Sequence, residues 1–237
     1  MRQLTTLLCM LILLACVAFQ SGCSQKTIAG GTSTSENARV SGSIVDPTGI
    51  PVAYAIVQLI PASYNPVTDS PSAYIKTDTT DSAGHYLFDS ITTGSYNISA
   101  VQPSTGKRLL TNTIAVVSGS VNLDADTLHK TGTVKITISD TVKDAQSYVY
   151  IPGTTISISE NAATYDSGTV TITIDSVPAG TIPAIYYVKH GTSQPQHIGT
   201  NIHVWENDTV KVDDSDRRYR KILYLNTSAT CRSNLTL

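Results

Sequence analysis

The stretch DSAGHYLFDSITTGSYNISA, residues 81–100, decides the fold. It alternates apolar and polar residues twice. Tyr86 and Phe88 fall on one face of the first run, Tyr96 and Ile98 on one face of the second. Side chains of a strand point to opposite faces in turn, so the pattern reads as two half-buried strands. Asp81 to Gly84 is a turn, where glycine can take a positive φ. Upstream, ARVSGSIVD (38–46) sets Val40, Gly42 and Ile44 on one face, and AYAIVQLIP (53–61) does the same with Ala55, Val57 and Leu59. ASYNPVTDSPS (62–72) is a proline-containing loop, and AYIKTDTT (73–80) is a third strand. RLLTNTIAVVS (108–118) and SVNLDADTL (120–128) bring the set to about seven. Short strands at this spacing predict an antiparallel sandwich.

Composition agrees. Of 237 residues, 41% are hydrophobic and only 14% charged. Glu occurs only at Glu36, Glu160 and Glu206, whereas Thr, Ser, Val and Ile abound, a bias toward strands. The net charge of −2 gives no general electrostatic case for nucleic-acid binding.

The first 22 residues read as a helical signal segment. Arg2 precedes an apolar run from Leu4 to Phe19, shorter than the roughly 20 residues of a comfortable membrane span. Ser21-Gly22-Cys23 follows and resembles the bacterial lipobox, departing from it at Gln20, where that motif usually has Leu. The resemblance implies cleavage before Cys23, its lipidation, and a lipid anchor in a membrane. An ordinary signal peptide or an uncleaved anchor is the alternative. Ser24 in place of Asp after the lipidated Cys implies the outer membrane of a bacterial envelope. Cys9 and Cys16 would be removed, leaving Cys23 and Cys231. Residues 23–37, rich in Gly, Ser and Thr, read as a flexible tether.

The chain then echoes itself. GTVKITISD (132–140) repeats ARVSGSIVD, YVYIPG (148–153) repeats VQLIPA (57–62), and DSVPAG (175–180) repeats DSITTG (89–94). A second sandwich over 131–213 is the simpler account of self-similarity at this period. One continuous large sandwich is the alternative.

Residues 38–130 resemble the carboxypeptidase regulatory-like domain, a transthyretin-like β-sandwich. The resemblance rests on VSGSIVDPTGIPVAYAIVQL, DSAGHYLF and ITTGSYNISA, with Asp46, Gly49, Pro51, Ala55, Val57, Leu59, Asp81, Gly84, Tyr86, Gly94 and Tyr96 at the pattern's positions. It implies an all-β chain of two tandem transthyretin-like or immunoglobulin-like antiparallel sandwiches after the signal segment. Related surface sandwiches can form a Lys–Asn isopeptide bond beside a buried Glu. Residues 38–130 contain no Glu, and Lys135 alternates out of phase with Val134, Ile136 and Ile138, which sets it toward solvent. The tail, residues 214–237, contains RRYRKILYLNTSA, which resembles the opening strand of a concanavalin-like jelly-roll and implies a truncated module.

Catalytic constellations are sparse. His203-x-x-Glu206 has a zinc spacing without an evident third ligand. His190, His197 and His203 fix no single geometry, and no nucleophile elbow or phosphate loop occurs. Asp124/Asp126 and Asp213/Asp214 read as solvated turn carboxylates rather than calcium ligands. The expectation is therefore a non-catalytic, membrane-anchored module without cofactor or metal, serving structure, spacing or adhesion. The alternative is carbohydrate binding, with a cell-surface glycan or an envelope protein as partner. Its candidate residues are Trp205, Tyr186 and Tyr187, with Tyr148 and Tyr150 beside them.

Overall fold

The computed structural model describes residues 38–139, 144–192 and 194–213. The expectations for the signal segment, Cys23, the tether, Cys231 and the tail lie outside the described residues.

Seven strands come first: β1 Ala38–Val45, β2 Ile56–Pro61, β3 Lys76–Thr79, β4 His85–Ile91, β5 Gly94–Val101, β6 Arg108–Val116 and β7 Ser120–Thr127. They make two sheets, ordered β4-β1-β7 and β3-β2-β5-β6. Eight follow: β8 Gly132–Ser139, β9 Tyr148–Tyr150, β10 Ser157–Ser159, β11 Thr164–Asp166, β12 Thr169–Val177, β13 Gly180–Val188, β14 Gln196–Val204 and β15 Thr209–Asp213. Their sheets are β11-β12-β8-β15 and β10-β9-β13-β14. Apart from the added edge strand β11, the second set repeats the first strand for strand. The ladders are antiparallel except β1–β7 and β8–β15, which are parallel. In each set the last strand leaves the opposite sheet and returns beside the first, a crossover that a hairpin cannot make.

The repeat extends to local detail. Both DSITTG and DSVPAG hold a β-bulge, where three residues of β4 or β12 oppose two of β1 or β8. Ser90 and Ser176 carry the bulges at φ 58 and 59. The Asp before each is tied to the second residue of the opposing first strand. Arg39 Nε donates to Asp89 at 2.6 Å, and Thr133 Oγ1 donates to Asp175 at 3.1 Å. The repeated bulge re-aims the chain into the next strand in both sandwiches.

The D-x-x-G turns of the first sandwich share one construction. Asp46 accepts from the N–H groups of Thr48 (2.8 Å) and Ile50 (3.0 Å), and Asp81 from those of Ala83 and His85 (both 2.9 Å). The carboxylate thus satisfies donors that the tight turn leaves open, and Gly49 and Gly84 take φ 83 and 77. The hydrogen bonds hold both carboxyls below the usual carboxylate range, led by the Thr48 side chain for Asp46 and the His85 N–H for Asp81.

Each pair of sheets encloses its own core. The first packs Val40, Ile44, Val57, Leu59, Tyr86, Phe88 and Ile98. The second is aliphatic, with Val134, Ile136, Ile138, Ile172, Ile174, Ile182 and Ile185 around Tyr187. Two readings of the sequence need correction. Residues 71–74 form a helical turn begun by Pro71, so the third strand is only Lys76–Thr79 and Tyr74 is exposed. Tyr96 is half-buried against the core, its hydroxyl donating to the Thr92 carbonyl at 3.0 Å.

The two sandwiches touch through a defined seam. Gly153, at φ 68, donates its N–H to the Tyr64 carbonyl at 2.8 Å and accepts from Asn97 Nδ2 at 2.9 Å. A Cβ there would collide with Asn97 and stand 2.9 Å from the Ala62 carbonyl. Asn112 Nδ2 donates to the Thr181 carbonyl at 3.0 Å, Leu110 packs on the second core, and His129 Nδ1 meets Glu206 at 2.7 Å.

Candidate functional site

The outer face of sheet β10-β9-β13-β14 carries the aromatic residues that the sequence raised. Alternation along β13 turns Ile185 and Tyr187 into the core and Tyr186 outward. Cross-strand pairing then sets Tyr186 against Tyr150 on β9 and His197 on β14. The result is a row of rings. Tyr148–Tyr150 centroids stand 6.0 Å apart at 46°, Tyr150–Tyr186 5.6 Å at 23°, and Tyr186–His197 5.2 Å at 74°. These are the tilted and offset arrangements that ring quadrupoles favour. Tyr148 and Tyr186 are half-buried, His197 is exposed, and Tyr150 retains 7% exposure. Burial, followed by Tyr148, Tyr186 and the charge of Asp69, pushes the Tyr150 hydroxyl above its ordinary value. Asp69 belongs to the 62–75 loop of the first sandwich, so both sandwiches border this row.

Further along β14, His203 is exposed and stacks edge-on with Trp205, centroids 4.1 Å apart. Trp205 is 64% exposed. Thr181, opposite His203, is 3.5 Å from its ring nitrogen.

Tyr187 does not belong to this surface. It is 2% exposed, one residue out of phase with Tyr186, and its hydroxyl donates to Glu160 at 2.6 Å. Glu160 is fully buried in a 3-10 turn over Glu160–Ala162 and also accepts from the Asp144 N–H at 2.9 Å. Asp144 meets His190 Nδ1 at 2.9 Å. The Gln146 N–H, then His190, holds the Asp144 carboxyl below its ordinary range. This buried Glu–Tyr tie escaped sequence reading because Glu160 sits in an irregular connection where alternation gives no facing. Its one signal was scarcity, as one of three Glu in the chain. Lys135 faces solvent on β8.

The structure gives the other flagged residues separate partners. Glu206 bonds His129 while His203 packs on Trp205, so the H-x-x-E spacing does not converge. His190 bonds Asp144 and His197 packs on Tyr186. Among the described residues no three metal-ligating side chains share a site.

No family model matches the chain, and no curated protein matches it. Solved structures resemble it at low identity and low TM-score. The Bacillus anthracis TIE protein matches at 11% identity and TM-score 0.31, over 75% of this chain and 33% of its own. A streptococcal ancillary pilin matches at 15% and 0.30, over 77% and 63%. A candidate carbohydrate-binding protein of Bacteroides uniformis matches at 14% and 0.30, over 71% and 97%. The chain thus spans about a third of the first and under two thirds of the second.

Proposed function

We propose that this chain is a non-catalytic module of the bacterial cell envelope, held to the outer membrane by lipid on Cys23. In this reading it acts as a spacer or adhesion unit, with a first sandwich of the carboxypeptidase regulatory-like kind. The observation that carries the reading is the seam at Gly153. Backbone and side-chain hydrogen bonds join the two sandwiches there, which suits a unit that must present a surface at a set distance from its anchor. Ser21-Gly22-Cys23 after the apolar run supports the anchor. In a bacterial host, the full chain should partition into detergent and incorporate labelled fatty acid. Cys23→Ser should do neither; if it does both as well as the native chain, the lipid anchor is wrong.

A second reading, carbohydrate binding, is favoured by the half-buried Tyr148 and Tyr186, ordered by the buried Tyr150 between them, and by the exposed His197 and Trp205. Apolar sugar faces can stack on aromatic rings, which offer a large apolar surface beside a polar edge. Its partner would be a cell-surface glycan, and Tyr187, being buried, takes no part. A pull-down on insoluble envelope polysaccharide tests it. The native chain should be retained and the double variant Tyr186→Ala/Trp205→Ala lost. Equal retention of both leaves an envelope protein as the partner.

A further inference from the structure

The first sandwich contains a cavity of about 250 Å³ between its two sheets, beside strand β7. Ile98 and Leu123 give it apolar walls, Tyr86 lines it from β4, and Thr111, Asp124 and Asp126 supply polar groups. Three features make this a built site. Tyr86 is only 4% exposed, and its hydroxyl, which keeps access to the cavity, has no hydrogen-bond partner among the described residues. The ring has this position because it lies over Gly42, where any Cβ would collide with it. Strand β7 bulges beside it, the three-residue step from Asn122 to Ala125 opposing the two-residue step Ser41 to Ser43. That bulge sets Asp124 at the exposed rim.

The carboxylates carry unbalanced charge. Asp126 accepts from Thr111 Oγ1 and from the Thr127 N–H at 2.8 Å, which leaves part of its acceptor capacity open. No Lys, Arg or His of the described residues pairs with Asp124 or Asp126. A compact cavity with apolar walls and a few convergent polar groups is the form that small-molecule sites take. We propose that this cavity binds a small organic cation, a protonated amine on a compact apolar or aromatic body. The body fills the space between Ile98 and Leu123. The ammonium faces Asp126, with Asp124 at the mouth, and the Tyr86 hydroxyl gains the partner that the protein withholds. Burial, and after it the charge of Asp126, pushes the Tyr86 hydroxyl up to about 12, consistent with the carboxylate's field reaching into this space.

The test uses the full chain in detergent, titrated with benzylamine, benzyl alcohol and phenylacetate, and followed by the methyl NMR signals of Ile98 and Leu123. Benzylamine should shift these signals saturably at millimolar concentration. Benzyl alcohol should bind at least fivefold more weakly, and phenylacetate should not bind. Asp126→Asn should weaken benzylamine at least fivefold. Tyr86→Phe, which removes only an unpartnered hydroxyl, should fold and weaken it by a smaller factor. Absence of saturable shifts, equal affinity for benzylamine and benzyl alcohol, or unchanged affinity in Tyr86→Phe and Asp126→Asn would overturn the assignment.

Discussion

One position in the repeated topology is filled in two different ways. In the first sandwich Gly42 faces Tyr86 across β1 and β4. In the second, Ile136 faces Ile172 across β8 and β12. The neighbouring pair is alike in both, Val40 with Phe88 and Val134 with Ile174. One sandwich thus concentrates its volume in a single ring over a glycine, while the other divides it between two branched side chains. Cores tolerate such exchange when the total volume is kept. The surroundings differ with the filling. Strand β7 bulges beside Tyr86, whereas β15 pairs with β8 in unbroken register. Strand order follows the turns and alternation, and the chemistry available inside follows the residues that fill the space.

The contrast yields predictions of decreasing size. The seam comes first. Gly153→Ala must place a side chain at φ 68 and against Asn97. The strained backbone alone costs about 1–3 kcal/mol, and the collision adds to it. Denaturant melts should show that loss, and a change below 0.5 kcal/mol would mean the seam is loose. The two buried tyrosines come next. Tyr187→Phe removes the hydroxyl that donates to the buried Glu160 Oε1 and should cost about 1–3 kcal/mol. Tyr86→Phe removes a hydroxyl with no partner among the described residues and should be close to neutral. Equal losses would erase the distinction between the two interiors.

Alkaline pH probes the same contrast. The folded Tyr86 value lies near 12 against an unfolded value of 10.0. With the folded value raised, the group's contribution is fully present below pH 10 and is lost as pH rises toward about 12, because only the unfolded chain ionises freely in that window. Stability of Tyr86→Phe should fall less steeply than that of the native chain over this range, as read from chemical denaturation at stepped pH. The smallest effect belongs to the bulge ties. Arg39 and Asp89 are 57% and 56% exposed, so Arg39→Ala should cost no more than about 1 kcal/mol. The bulge should persist, since its counterpart forms with Thr133 alone.

Much of this fold was legible. Val57 and Leu59 alternate cleanly because a strand with one face on a core must do so, and both are buried. DSITTG and DSVPAG announced a repeat of the chain, and the structure adds that each holds a bulge with its serine at positive φ. What escaped was non-local. Phase alone would have separated Tyr186 from Tyr187, yet two adjacent tyrosines look equivalent until the pairing with Tyr150 fixes the register. Asp124 and Asp126 read as solvated carboxylates, and Asp124 is exposed, but nothing local shows that β7 bulges there beside a ring from β4. The helical turn at Pro71 was hidden in a segment whose Tyr74 and Ile75 mimic a strand.

The most direct measurement is a double-mutant cycle at the position where the sandwiches diverge. Gly42→Ile, Tyr86→Ile and the double variant would be compared by equilibrium denaturation. Gly42→Ile alone forces a side chain into the Tyr86 ring, an overpacking cost of about 1–3 kcal/mol or more. The double variant recreates the Ile136–Ile172 pair, and the account predicts that it is at least about 1 kcal/mol more stable than the sum of the single changes allows. Additivity within about 0.5 kcal/mol would show that Gly42 and Tyr86 do not share one space, and would contradict the equivalence of the two sandwiches.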